Sequence, residues 1–270
     1  MLVARRGSEK LHVRLGGQAG RGGYYSGFVP TTPAEESYLK TIYHVRSGGG
    51  AVTTSAIASR LGVASPSVSA MLKRLETAGL VRRESGHHIE LTCEGEQQAM
   101  RMVRRHRLLE TMLHQLLGVP WHELHDDAEA LEHAVSDRLE ARIAAALGHP
   151  TIDPHGDPIP PADLAAHRET WPDPLTDAPV RSYFRVERVS DRNADALHHL
   201  ADMGIVPGAV LWLEQREPFD AVLWIRTEGG NAASRLQALG PTLTALIHGT
   251  TMIQGTTMIH GTTMEGRVRA

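Results

Sequence analysis

The sequence predicts a mainly α-helical protein with small β elements, organised as a winged helix-turn-helix, a helical segment and a small C-terminal β-barrel. Three observations predict it. Between Thr54 and Thr92, two short amphipathic helices joined by a Gly-containing turn run into a hairpin pattern. Two further helical patterns follow, with His and Glu at i, i+3 and i+4 spacings. Beyond a Pro-rich stretch, three short β-type runs are separated by turns and a short helix.

Composition narrows the function classes. The 270 residues have 41% apolar and 22% charged content, ordinary for a globular protein of two modest domains or more. A formal net charge of −3 gives no global attraction to nucleic acid, so any such binding must come from a local patch. Cys93 is the only cysteine, which excludes an intramolecular disulfide and thiolate-built zinc or iron–sulfur centres within one chain. No run of about 18 apolar residues is present. The N-terminus lacks the apolar core of a secretory signal, so a cytoplasmic location is expected.

Residues 1–31 are Gly- and Arg-rich without helical or strand period, and read as a flexible basic arm. The DNA-binding unit is expected over 32–96. Thr32-Pro33 suits an N-cap and first helical residue, and Tyr38, Leu39, Ile42, Tyr43 and Val45 supply one apolar side up to Gly48-Gly49-Gly50. The next helix, Thr54 to Leu61, buries Ala56, Ile57 and Leu61. After the turn Gly62-Val63-Ala64, Ser65-Pro66 reads as a cap and proline opening another helix, with Val68, Met71, Leu72 and Leu75 at core spacing and a stop at Gly79. Its outward side offers Ser65, Pro66, Ser67, Ser69, Ala70, Lys73 and Arg74, small polar and cationic groups suited to a major groove and its phosphates. Leu80-Val81 and Ile89-Leu91 flank the turn Glu84-Ser85-Gly86 as a wing carrying Arg82, Arg83, His87 and His88.

A helical unit is expected over 97–160. One helix runs from Glu96 to Leu117 and carries His106 and Glu110. After Gly118-Val119-Pro120 a second is expected to continue from Trp121 to Leu147. His125, Glu129, Glu132 and His133 lie on it within an arc of about 100°. Leu124, Ala128, Leu131, Val135 and Leu139 form an apolar stripe beside that arc, so nitrogen and carboxylate ligands border a core-facing seam. The cluster predicts a regulatory site for a divalent metal. Leu139, Ile143, Ala146 and Leu147 extend the apolar face and would serve dimerisation. Residues 161–179 read as a Pro-rich linker and 180–246 as the barrel. Residues 247–270 contain IHGTTM, IQGTTM and IHGTTM in succession and read as a disordered repeat tail.

The stretches TPAEESYLKTIY, SPSVSAMLKRLETAGL, RRHRLLE, VPWHELH, EALEHAVSD and HPTIDPHGDPIP occur in an order that resembles the diphtheria toxin repressor family of metal-dependent regulators, and within it the manganese transport regulator branch. The resemblance covers 32–160 and, more loosely, 180–246. It implies a winged-helix domain, a metal-binding and dimerisation domain and an SH3-like barrel. It also implies a homodimer on palindromic operator DNA that represses metal-uptake genes when metal is abundant. By position, Glu129, Glu132 and His133 match the primary metal site, His106 matches a ligand of the ancillary site in the iron-responsive branch and of the metal cluster in the manganese branch, and Glu110 and His125 match the other ancillary ligands. A carboxylate at 129, where iron-responsive members have cysteine, hardens the site toward Mn²⁺, with Fe²⁺ the alternative. Two positions depart from the family. The first-helix Met or Asp ligand is Ser37 here, and the further acid that the manganese branch has three residues on is Lys40. The set is then expected to be completed by Glu36, by water or from the barrel, where Asp195 and His199 are the nearby candidates.

Two rival readings are a metal-independent winged-helix regulator, with the cluster only a polar surface, and a metallohydrolase. The chain has no H-E-x-x-H, and no catalytic constellation accompanies the ligands, so no enzyme activity is expected.

Overall fold

The structure is a computed structural model that describes residues 30–83, 88–164, 171–219, 221–228 and 235–252. The arm at 1–29 and the wing turn Glu84–His87 lie outside the described residues.

Helix α1 (Pro33–Ser47) opens with a capping box. The Thr32 hydroxyl accepts from Glu35 N, and the Glu35 carboxylate accepts from Thr32 N. Thr53 caps α2 (Thr54–Leu61), which ends at Gly62 in the left-handed region, φ +65°. Helix α3 (Ser65–Thr77) starts one residue earlier than its sequence implies: Ala64 is the N-cap, and Ser65 is already helical. Leu39, Ile42, Tyr43, Ile57, Val68, Leu72 and Leu75 are buried and hold the three helices together. Strands β1 (Val81–Arg83) and β2 (Ile89–Leu91) pair antiparallel as the wing, with Val81 opposite Leu91. Thr92 then caps α4 (Cys93–Leu117), whose 25 residues span about 37 Å. Gly95, in its first turn, lies so close to the wing that an added Cβ would fall 1.9 Å from Leu80 O.

The expected single helix from Trp121 to Leu147 is three pieces: α5 (Leu124–Leu131), a 3-10 turn (Glu132–Ala134) and α6 (Asp137–Ala146). The cause is local. Val135 leaves the helical region at ψ 116°, and the Ser136 hydroxyl accepts from Leu139 N as a new N-cap. Leu124, Ala128 and Val135 face α4 and are buried, while Leu131 and Leu139 are exposed.

The barrel domain is a six-stranded antiparallel sheet in the order β3-β8-β4-β5-β6-β7. Its strands are β3 (Asp173–Pro174), β4 (Tyr183–Val189), β5 (Val210–Arg216), β6 (Leu223–Thr227), β7 (Gln237–Leu239) and β8 (Ile247–Met252). Helices α7 (Ala194–Asp202) and α8 (Pro241–Thr244) accompany them. Two expected boundaries therefore move. The linker ends earlier than 179, because β3 pairs with β8 and Leu175 and Ala178 are buried in the barrel core. The repeat tail begins later than 247. The first hexad is strand β8, its Ile247 fully buried and its backbone paired along β4. The later hexads lie outside the described residues.

Candidate metal centre

Every expected recognition-helix residue, Ser65, Pro66, Ser67, Ser69, Ala70, Lys73 and Arg74, is exposed, as are Arg82 and Arg83 on the wing. Three of these cations have partners in the chain. Arg74 pairs with Glu35 at 3.0 Å, Arg82 with Glu90 at 2.5 Å and Arg83 with Glu76 at 3.6 Å.

The His and Glu cluster gathers where α1, α4, α5 and the barrel meet. Helix α4 projects His106 and Glu110 one turn apart on the same face. His125 and Glu129 come from α5, and Glu132 and His133 from the 3-10 turn, which swings both toward α1. The donors form two sets that share His106.

In the first set, Glu132 is fully buried. Its Oε2 lies 2.7 Å from His106 Nδ1, and Glu129 Oε2 lies 3.8 Å from the same nitrogen. The Lys40 ammonium, from α1, sits 2.6 Å from Glu132 Oε1 and contacts Glu129 Oε2. His133 is held at both ring nitrogens, Nδ1 at 2.7 Å from Glu36 Oε2 and Nε2 at 3.2 Å from Ser37 Oγ.

The second set centres on Glu110. His106 Nε2 stands 3.2 Å from Glu110 Oε1 and 3.2 Å from His125 Nδ1, which is 3.3 Å from Asp191 Oδ2. Donor atoms of His106, Glu110, His125 and Asp191 all lie within 4.8 Å of one another, as do those of Glu110, Asp153 and His155. Both Glu110 carboxylate oxygens are buried and accept no hydrogen bond, and His155 Nδ1 has none either. His106 Nε2 is close to Glu110 but without hydrogen-bond alignment. A cavity of ≈ 490 Å³ adjoins this set, and Lys40, His106, Glu110, His125, Glu129 and Asp191 are among the residues lining it.

The electrostatics follow from packing charge in a dry place. Burial opposes a charge on His106, yet Glu110 and Glu132 beside it raise its pKa to about 10. Burial likewise opposes charge on His155, which Glu110 and Asp153 bring up to about 9. Against its own burial, Glu110 is held down to about 2 by His106 and His155. Asp191, part-buried, is held well below the usual range by His125. Asp153 is pushed well above it by burial, Asp157 and Glu110.

Residues 30–89 match the family described as iron dependent repressor, N-terminal DNA binding domain, and residues 92–161 match iron dependent repressor, metal binding and dimerisation domain. The iron-dependent repressor IdeR of Mycobacterium leprae is 36% identical over 193 residues, 66% of this chain and 83% of the relative. The chain belongs to the diphtheria toxin repressor family. It is a metal-dependent DNA-binding transcriptional repressor of that family, not an enzyme. The diphtheria toxin repressor of Corynebacterium diphtheriae itself is 36% identical over 128 residues, 47% of this chain and 57% of that relative. Residues 174–244 match the FeoA domain, the third module of the fold. Among solved structures, a manganese-dependent transcriptional repressor in complex with manganese superimposes with a TM-score of 0.74 at 37% identity, over 81% of this chain and all of that one. The manganese regulator SloR does so at 0.69 and 28% identity, over 82% of this chain and all of that one. Among the described residues no helix is long and apolar enough to cross a membrane.

The family's metal requirement can be tested against the donors present. The Glu110 set fits a divalent cation: imidazole and carboxylate ligands from three directions surround a buried carboxylate whose oxygens lack hydrogen bonds, a rare and costly state for a polar group. His106, Glu129 and Glu132 also bring donor atoms within 4.8 Å of one another, with the Lys40 ammonium in contact with both carboxylates.

Asp195 and His199 do not join either set. Both are exposed on α7, and the barrel residue that reaches His125 is Asp191, four positions before Asp195. Asp191, Asp153 and His155 were not expected from ligand spacing. Asp153 and His155 lie in the quoted stretch HPTIDPHGDPIP, whose alternation of acid and imidazole was the available signal. Asp191 follows a strand without any pattern.

Proposed function

We propose that this repressor senses Mn²⁺, with Fe²⁺ the alternative, through His106, Glu110, His125 and Asp191 together with Asp153 and His155. The observation that carries the reading is the buried Glu110 carboxylate, unbonded at both oxygens and ringed by imidazoles. Carboxylates and imidazoles without thiolate favour the harder divalent ions, and selection among them falls to geometry and availability. When bound, the ion supplies positive charge that ties these side chains together.

The chain's own residues would turn that tie into a DNA response. His106 and Glu110 sit on α4, whose N-terminal end is fused to the wing through Thr92 and Gly95. His125 belongs to α5 and Asp191 to the barrel. Fixing these elements fixes the position of α3 relative to the dimerisation segment, and so the spacing of two recognition helices in a homodimer. Matched spacing places Ser65, Pro66, Ser67, Ser69, Ala70, Lys73 and Arg74 of each copy in successive major grooves of a palindromic operator, with Arg82 and Arg83 at the flanking phosphates. The metal acts only through its preference for that state. The controlled genes are those of metal uptake, and the protein works in the cytoplasm.

The test is a fluorescence anisotropy titration on promoter DNA of a metal-uptake gene, with chelator and with Mn²⁺. Tight binding only with Mn²⁺ is expected. Equal binding in both conditions overturns metal sensing and favours the metal-independent reading.

A further inference from the structure

Lys40, on α1, is buried. A buried ammonium is unfavourable unless it is paired. Here two carboxylates pair it, Glu132 Oε1 at 2.6 Å and Glu129 Oε2 in direct contact. Ser37, three residues earlier on the same face of α1, adds only a hydroxyl toward His133. The face of α1 turned to this set therefore contributes a cation and a neutral group, and no carboxylate ligand beyond Glu36, whose Oε2 engages His133 Nδ1.

The two sets differ in how far their donors are already satisfied. Glu132 has one oxygen on Lys40 and the other on His106, and His133 has both nitrogens engaged. Glu110 has neither oxygen hydrogen-bonded. A divalent ion bound to the Glu129 and Glu132 oxygens at about 2.0–2.2 Å would fall on the Lys40 ammonium and be repelled by it.

We propose that Lys40 is the resident cation of the Glu129–Glu132 pair. It keeps that set free of divalent metal, joins α1 to α5 without one, and leaves sensing to the Glu110 set. This rests on the reading of the chain as a Mn²⁺ sensor.

The experiment measures Mn²⁺ equivalents per full-length chain by equilibrium dialysis with elemental analysis, on wild type, Glu129→Gln, Lys40→Met and the double variant, with circular dichroism as the check on folding. Wild type and Glu129→Gln should bind the same number of ions. Lys40→Met should gain one equivalent, which the double variant should lose. A drop of one equivalent in Glu129→Gln alone overturns the proposal, and this arm decides the matter even if Lys40→Met does not fold. A wild-type chain that takes up no Mn²⁺ overturns the sensor reading, and this proposal with it. Loss of an ion from Glu129→Gln leaves the sensor reading standing.

Discussion

Glu110 and His155 face each other across 3.7 Å in the buried interior, and neither the Glu110 oxygens nor His155 Nδ1 makes a hydrogen bond. One residue is on a long helix and the other in an irregular loop, so the pairing brings distant parts of the chain to a common centre. Replacing Glu110 with Gln should therefore abolish most Mn²⁺ binding, weakening it at least about tenfold. The melting-temperature rise on adding Mn²⁺, measured by differential scanning fluorimetry, should shrink with it. An unchanged rise would place the ion elsewhere.

The same centre makes the metal-free chain sensitive to alkaline pH. His106 is raised to about 10 and His155 to about 9, both above the ordinary 6.5. A raised value means that the stabilisation is fully present below 6.5 and is lost as pH climbs through 9 to 10. With chelator present, the melting temperature should fall between pH 6.5 and 10. Over the same interval Mn²⁺ affinity by calorimetry should tighten, since binding expels these protons. A flat melting curve would contradict the assigned charges.

Gly156 follows His155 directly, at φ +90°, and an added Cβ would lie 2.0 Å from Glu187 O. Gly156→Ala forces either that loop or β4 to move. It should cost about 1–3 kcal/mol in urea unfolding and also weaken Mn²⁺ binding, because the loop carries Asp153 and His155. A stability loss with intact metal affinity would separate the loop from the site.

On the DNA side, Lys73 is exposed on α3 without carrying core packing. Lys73→Ala should weaken operator binding across sequences and reduce the slope of log K against log salt by about one, measured by anisotropy. Arg74 is paired with Glu35, so Glu35→Ala should release it and strengthen binding at low salt. No change in salt slope for Lys73→Ala would remove this residue from the phosphate contacts.

Much of this was readable from local chemistry. Thr53 and Gly62 bracket one helix and Pro66 marks the next, so the helix-turn-helix follows from caps and apolar period. The i, i+4 pair His106 and Glu110 likewise follows from helical geometry. What escaped depends on contacts across long separations. Asp191 reaches His125 only because the barrel folds back on α5. The break at Val135 depends on one hydroxyl, that of Ser136, ending a pattern that apolar spacing alone carries onward. The hexad IHGTTM looked like low complexity because its strand character is completed by pairing with β4.

That closing strand has a sequel. Gly249 must be glycine, since an added Cβ would lie 1.9 Å from Arg185 O. The hexads IQGTTM and IHGTTM that follow keep glycine at the same place, at Gly255 and Gly261. Each also opens with isoleucine, as the first hexad opens with the buried Ile247. The chain thus repeats the sequence of its own last strand twice more, with one His-to-Gln change. Deleting one hexad leaves at 247–252 the same residues or a single His-to-Gln change, so an unequal crossover within the repeat changes the length of the chain while altering the sequence of its closing strand by at most one side chain.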